Sequence, residues 1–81
     1  MIVAVTVGSA TGLHAREAAR VAAVAASCPT PVWVRRDGGA PVPADSVLSL
    51  LTLAAPQGTE LLLESASSSS LELVAQAIGA S

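Results

Sequence analysis

The sequence has no phenylalanine, no tyrosine and no lysine, and only one each of tryptophan, cysteine and histidine. Each shortage excludes something. Cys28 stands alone, so no disulfide can close within the chain, and no Cys/His cluster has the spacing of a zinc site. The cations are Arg16, Arg20, Arg35 and Arg36, and the formal net charge is −2. Four scattered arginines without interleaved aromatics make no basic stripe, which argues against nucleic-acid binding. No apolar run approaches the roughly 20 residues of a membrane span. Met1–Val7 lacks a basic leader and is too short for a secretion signal. The expectation is a cytoplasmic protein that needs no membrane, metal or cofactor, in which a lone reduced thiol is ordinary.

What is present is aliphatic: 52% of the 81 residues are hydrophobic. A chain of this size reads as a single domain, 1–81, with a modest core and no staple. Each buried aliphatic side chain contributes roughly 1.5–3 kcal/mol against the chain entropy. One layer of helices on one sheet can supply that core.

The order of elements is legible from periodicity. Met1–Val7 reads as a strand and Gly8–Gly12 as a loop. From about His14 to Ala26 the chain is Ala-rich and helix-forming, with an apolar stripe at Val21, Val24, Ala25 and Cys28. Pro29 and Pro31 end that helix. Val32-Trp33-Val34-Arg35 alternates, which puts Val32 and Val34 toward the core and Trp33 and Arg35 on the opposite face. Asp37-Gly38-Gly39 signals a bulged hairpin, returning along Ala40–Pro43. Pro41 and Pro43 place that return strand at a sheet edge. Asp45 or Ser46 caps a short helix through Leu53, and Pro56-Gln57-Gly58 follows it. Thr59–Ala66 is a Leu-rich strand. A Ser-rich linker then leads to a last helix with Ser69 and Glu72 spaced as a capping box, an apolar face at Leu71, Val74, Ala75 and Ile78, and Gly79 at its close. The resulting order, β-α-β-β-α-β-α, predicts an α+β open-faced sandwich: a four-stranded antiparallel sheet with three helices on one face.

Chemistry concentrates at Thr11-Gly12-Leu13-His14-Ala15-Arg16-Glu17. A histidine at a helix start sits where free backbone N–H groups, here of Ala15, Arg16 and Glu17, and the positive end of the helix dipole converge. An anion is stabilised in that place. Arg16 adds a fixed cation with several donors for phosphate oxygens, and Gly12 lets the chain turn just before the histidine. His14 is thus a candidate nucleophile, acting through its neutral imidazole. The competing reading of a lone histidine here is a helix cap or a plain surface residue.

The string Gly12-Leu13-His14-Ala15-Arg16 resembles the active-site string of HPr, the histidine-containing phosphocarrier of the phosphoenolpyruvate-dependent sugar phosphotransferase system. A second segment, Ser46-Val47-Leu48-Ser49-Leu50-Leu51-Thr52-Leu53, resembles the stretch beginning at that family's regulatory serine. Gly58-Thr59-Glu60 fits the entry to its fourth strand. The resemblance runs along essentially the whole chain. It implies a monomeric carrier, not an enzyme with turnover, that accepts a phosphoryl group on Nδ1 of His14 from Enzyme I and donates it to sugar-specific IIA domains. It further implies that Arg16 steadies the phosphoryl group and that Ala19, Val47, Leu48 and Leu51 form an apolar docking patch. Core packing is the plainer role for the last three. Ser46 matches a serine phosphorylated by a kinase in some bacteria, and capping is its plainer role.

Glu17 departs from the family pattern, which has Pro there. It restores a backbone N–H at the helix start and places a carboxylate three residues from His14, on the same helical face. That carboxylate is expected either to repel a bound phosphoryl group, with Arg20 three residues on to offset part of its charge, or to act as an ordinary first-turn Glu that favours the helix dipole and can close a capping box on the His14 N–H. The first alternative leaves room for a different function, a protein-binding regulator with weak or no phosphoryl transfer. A third reading is a generic small α+β binding domain. No base–nucleophile pair around His14 suggests a hydrolase.

Overall fold

The computed structural model describes residues 1–80. Its elements are β1 (Ile2–Thr6), α1 (Ala15–Ala26), β2 (Trp33–Arg36), β3 (Val42–Pro43), α2 (Val47–Thr52), β4 (Glu60–Glu64) and α3 (Ser68–Gly79). The four strands form one antiparallel sheet in the order β1-β4-β2-β3. The three helices cover one face of it, with α1 packed against both α2 and α3.

Strand alternation fixes which side chains enter the core. Val3, Leu63, Val34 and Val42 form one cross-strand row on the helix side. Ile2, Glu64, Trp33 and Pro43 form the adjacent row on the open side. Val34, Leu61 and Leu63 are fully buried, while Trp33 remains 43% exposed. The same two-residue period carries Arg36 to the helix side at the end of β2, the row of Val5 and Leu61. The core is aliphatic throughout, with Val21, Leu50, Leu71, Val74 and Ile78 supplied by the helices.

Several boundaries differ from those read in the sequence. His14 is the N-cap of α1 and lies outside the helix. The buried stripe of α1 is Ala18, Val21, Ala22 and Ala25, with Val24 and Cys28 at its border. Small alanines are the residues that let this helix approach its neighbours closely. The return strand spans only Val42–Pro43, because Pro41 has no N–H to extend the ladder. The start of α3 corrects the expected capping box. Ser67 is the N-cap, its Oγ accepting the Ser70 N–H at 3.3 Å, whereas the Ser69 hydroxyl pairs with that of Ser67 at 2.9 Å. In a run of four serines every register offers a cap. The one chosen lets Ser70 turn inward to Thr30, whose hydroxyl lies 3.1 Å from it and 3.1 Å from that of Ser65. α3 runs through Gly79 to an Ala80 C-cap.

Trp33 provides a direct check on this register. Its fluorescence is expected to be red-shifted and readily quenched by iodide; a blue-shifted band insensitive to iodide would mean that the open face is covered or the register wrong.

Candidate functional site at the start of the first helix

The loop that leads into α1 is seated on the connection between α2 and β4. Gly12 adopts φ +78°, a left-handed conformation that disfavours side chains. A Cβ there would lie 2.8 Å from the carbonyl oxygen of Ala55 and 2.9 Å from Cα of Pro56. The next residue, Leu13, donates its N–H to the same Ala55 carbonyl at 2.9 Å and buries its side chain. Gly12 itself donates to the Ser9 carbonyl at 2.9 Å. The chain therefore arrives at His14 with its backbone fixed on both sides.

His14 takes an extended conformation, φ −86° and ψ −174°, and its carbonyl accepts the Ala18 N–H at 2.7 Å to open the helix. Its imidazole is exposed and makes no capping hydrogen bond, so the cap reading holds for its backbone position and not for its side chain. The N–H groups of Ala15 and Arg16 have no partner among the described residues. The ring thus stands free beside two backbone donors, with the Arg16 side chain 80% exposed on the same turn. A cleft of about 580 Å³ opens beside it, bounded by His14, Thr11, Leu51, Ala54, Pro56 and Gln57.

Glu17 is the first-turn acid of the plainer expectation, but its carboxylate is buried. Only 3% of its surface is exposed. Its Oε2 accepts from the Thr11 hydroxyl at 3.0 Å, the Ser9 hydroxyl at 3.2 Å and Arg16 Nη2 at 3.4 Å. Its own backbone N–H is the largest influence lowering its pKa from 4.5 to about 2; Thr11, Ser9 and Arg16 add to that, against an opposing effect of burial. The carboxylate therefore turns under the loop instead of facing solvent beside His14. The expected capping box to the His14 N–H is replaced by bonds to two hydroxyls further upstream. Of the three backbone donors read from the sequence, those of Ala15 and Arg16 stand open beside His14, and that of Glu17 acts on its own carboxylate's pKa.

The other sequence-selected residues separate by exposure. Leu48 is 78% exposed, Leu51 lies at the surface of the cleft, and Ala19 is exposed on α1. Val47 is half-buried and packs against the core. Ser46 caps α2, its Oγ accepting the Ser49 N–H at 3.2 Å. Sequence reasoning missed the parts played by three residues. Ser9 looked like loop filler and Thr11, though it opens the string singled out above, was given no partner, since nothing in the string says that an acid eight and six residues later will turn back to them. Arg36 looked like a residue beside a turn. It donates to the carbonyls of Leu53 at 3.1 Å and Ala54 at 3.2 Å, satisfying the C-terminal end of α2. Counting the alternation one residue further along β2 would have placed it on the helix side.

The molecule is a small α+β protein that presents an exposed histidine at a helix start, on an antiparallel sheet covered by three helices. A family model described as the phosphorylation site of the PTS HPr component matches residues 3–80. The chain belongs to the HPr family. It is 43% identical over 61 residues to the phosphocarrier protein HPr of Streptomyces coelicolor, a match covering 75% of this chain and 66% of that protein. It is also similar to the crystal structure of a phosphocarrier protein HPr from Bacillus anthracis, with a TM-score of 0.87 and 26% identity over 96% of this chain and 95% of that one. A structure of HPr from Thermoanaerobacter tengcongensis gives a TM-score of 0.85 at 26% identity, covering 96% and 90%.

Two outcomes follow from the site's construction. Gly12→Ala should lower stability by about 1–3 kcal/mol, read from the denaturant midpoint, because the left-handed backbone and the Ala55 carbonyl both oppose a Cβ. Glu17 has a folded pKa below its ordinary value, so its stabilising contribution is complete above about pH 4.5 and is lost as pH falls toward about 2. Over that window the wild type should lose stability more steeply than Glu17→Gln; parallel curves would show that the carboxylate is not engaged.

Proposed function

We propose that this protein is a phosphocarrier in which His14 accepts a phosphoryl group from Enzyme I and passes it to IIA domains of the phosphotransferase system. The observation that carries this reading is the free His14 imidazole beside the unpartnered N–H groups of Ala15 and Arg16, in a chain of the HPr family. Nδ1 forms the new bond to phosphorus while the donor's own bond to that phosphorus breaks, the donor keeping the electron pair. The transferred group brings negative charge to a place where two backbone donors, the helix dipole and the Arg16 guanidinium all favour it. Reversal of the same step hands the group to an acceptor, so the site needs moderate stabilisation rather than tight capture.

Leu51 lines the cleft, and Leu48 and Ala19 add exposed apolar surface on α2 and α1, suited to a protein that must bring its own reactive group to His14. Val47 supports that surface from beneath. Ser46 serves α2 as its cap. The reading as a regulator with impaired transfer drew its motive from a Glu17 carboxylate facing the phosphoryl group. With the carboxylate turned inward and hydrogen-bonded, that motive is gone. Cytoplasmic localisation and a monomeric state accompany this reading; among the described residues no helix is long and apolar enough to cross a membrane.

Incubation with Enzyme I and phosphoenolpyruvate, read by intact mass, tests the proposal. One phosphoryl group should be gained, and none by His14→Ala; gain by the His14→Ala protein, or none by the wild type, would contradict it. Arg16→Ala should fold normally and accept the group roughly 10–100-fold more slowly, the range expected for losing one or two charge-assisted hydrogen bonds. Unchanged kinetics would remove Arg16 from the site.

A further inference from the structure

We infer that Glu17 is a positioning residue for phosphoryl transfer, a buried latch that ties the Ser9–Thr11 loop and the Arg16 side chain to the first turn of α1. This deepens the phosphocarrier reading and rests on it. The observation is geometric. One carboxylate oxygen, Oε2, gathers the hydroxyl of Ser9, the hydroxyl of Thr11 and a guanidinium nitrogen of Arg16 within 3.0–3.4 Å. The three donors come from both sides of His14, two from the loop before it and one from the helix after it. Ser9 is itself a hub: its Oγ accepts the Thr11 N–H at 3.3 Å, and its carbonyl accepts the Gly12 N–H at 2.9 Å. The Thr11 and Gly12 N–H groups are thereby tied, through Ser9, to a single buried anion.

The arrangement solves a definite problem. His14 must keep its ring free for chemistry, so its side chain cannot brace the helix start as an ordinary cap does. Glu17 takes over the bracing from three residues inside the helix. It leaves the Ala15 and Arg16 N–H groups open, because its carboxylate turns back to two hydroxyls of the preceding loop instead. It also holds one guanidinium nitrogen of the otherwise exposed Arg16 near the helix start, which shortens the search of a long, rotamer-rich side chain for the phosphoryl oxygens. A misplacement of the reacting groups by about 1 Å can cost on the order of a hundredfold in rate. A latch that limits loop motion therefore acts on transfer while touching no reacting atom.

A positioning role makes a different demand from a charge role. If the Glu17 charge acted directly on the phosphoryl group, its removal would raise phosphoryl uptake, and more so at low salt. If Glu17 acts through the loop, its removal lowers uptake at any salt, and the loss is shared with the hydroxyls it holds. The test is a double-mutant cycle with Glu17→Gln and Thr11→Ala, Thr11 being exposed enough for its truncation to leave the core intact. Glu17→Gln is expected to reduce kcat/KM for uptake from Enzyme I roughly tenfold at both low and high salt. Thr11→Ala should reduce it by less, Thr11→Ser should restore it, and the double variant should be no slower than Glu17→Gln alone. Amide hydrogen exchange supplies a readout that needs no partner protein: the Thr11 and Gly12 amides should exchange faster in Glu17→Gln, and those of Leu61 and Leu63 should not. Additive effects of the two substitutions, faster uptake by Glu17→Gln, or unchanged exchange at Thr11 and Gly12 would each overturn the latch. A wild type that accepts no phosphoryl group from Enzyme I, while its loop amides respond as expected, would instead defeat the phosphocarrier reading and leave the latch as a structural element only.

Discussion

The close seating of Gly12 on the Ala55–Pro56 backbone is the constraint on which the rest of the site depends. It joins a loop following the edge strand β1 to the connection between α2 and β4, far apart in sequence. A left-handed glycine is required because a Cβ would fall inside contact distance of the Ala55 carbonyl. The Leu13 N–H then takes that carbonyl as its partner, and the Leu13 side chain enters the core. What remains for His14 is an extended residue pointing out of a fixed frame. The cleft beside the ring arises from the same contact, since Pro56 and Gln57 form its far wall.

Arg36 supports the frame from the other side. Strand alternation delivers its guanidinium to the end of α2, where two carbonyls lack helical partners. Ala54, just beyond the Leu53 C-cap of that helix, holds the left-handed value φ 49°, an uncommon conformation for a residue with a Cβ. An arginine clamped across Leu53 and Ala54 helps to hold that conformation. The sheet, the short helix and the His14 loop are thus linked through the segment Leu53–Pro56, and the exposed Leu48 and Leu51 ride on the same short helix.

How much of this was legible in the sequence depends on whether the information is local or long-range. The order of elements, the open-face position of Trp33, the edge position of Pro43 and the Ser46 cap all follow from patterns within a few residues. So does His14 at a helix start preceded by a glycine. The Ser67 cap was missed because four consecutive serines offer equivalent local choices, and only packing of Ser70 against Thr30 separates them. Glu17 was missed for a related reason. Helical spacing places a residue on a face, but a long side chain near a helix end has both solvent and the preceding loop within reach. Whether it turns outward or inward was decided by two hydroxyls, and their positions follow from the folded loop rather than from the string.

The central claim is that His14 presents a phosphoryl group to the first turn of α1, held by the Ala15 and Arg16 N–H groups while Glu17 holds the loop. Backbone amide spectra of the 15N-labelled protein before and after phosphorylation test it most directly. The account predicts that the Ala15 and Arg16 amide protons make the largest downfield movement, as new hydrogen bonds to phosphoryl oxygens require. Largest shifts away from this turn, or a phosphorylated protein whose Ala15 and Arg16 amides stay in place, would contradict it.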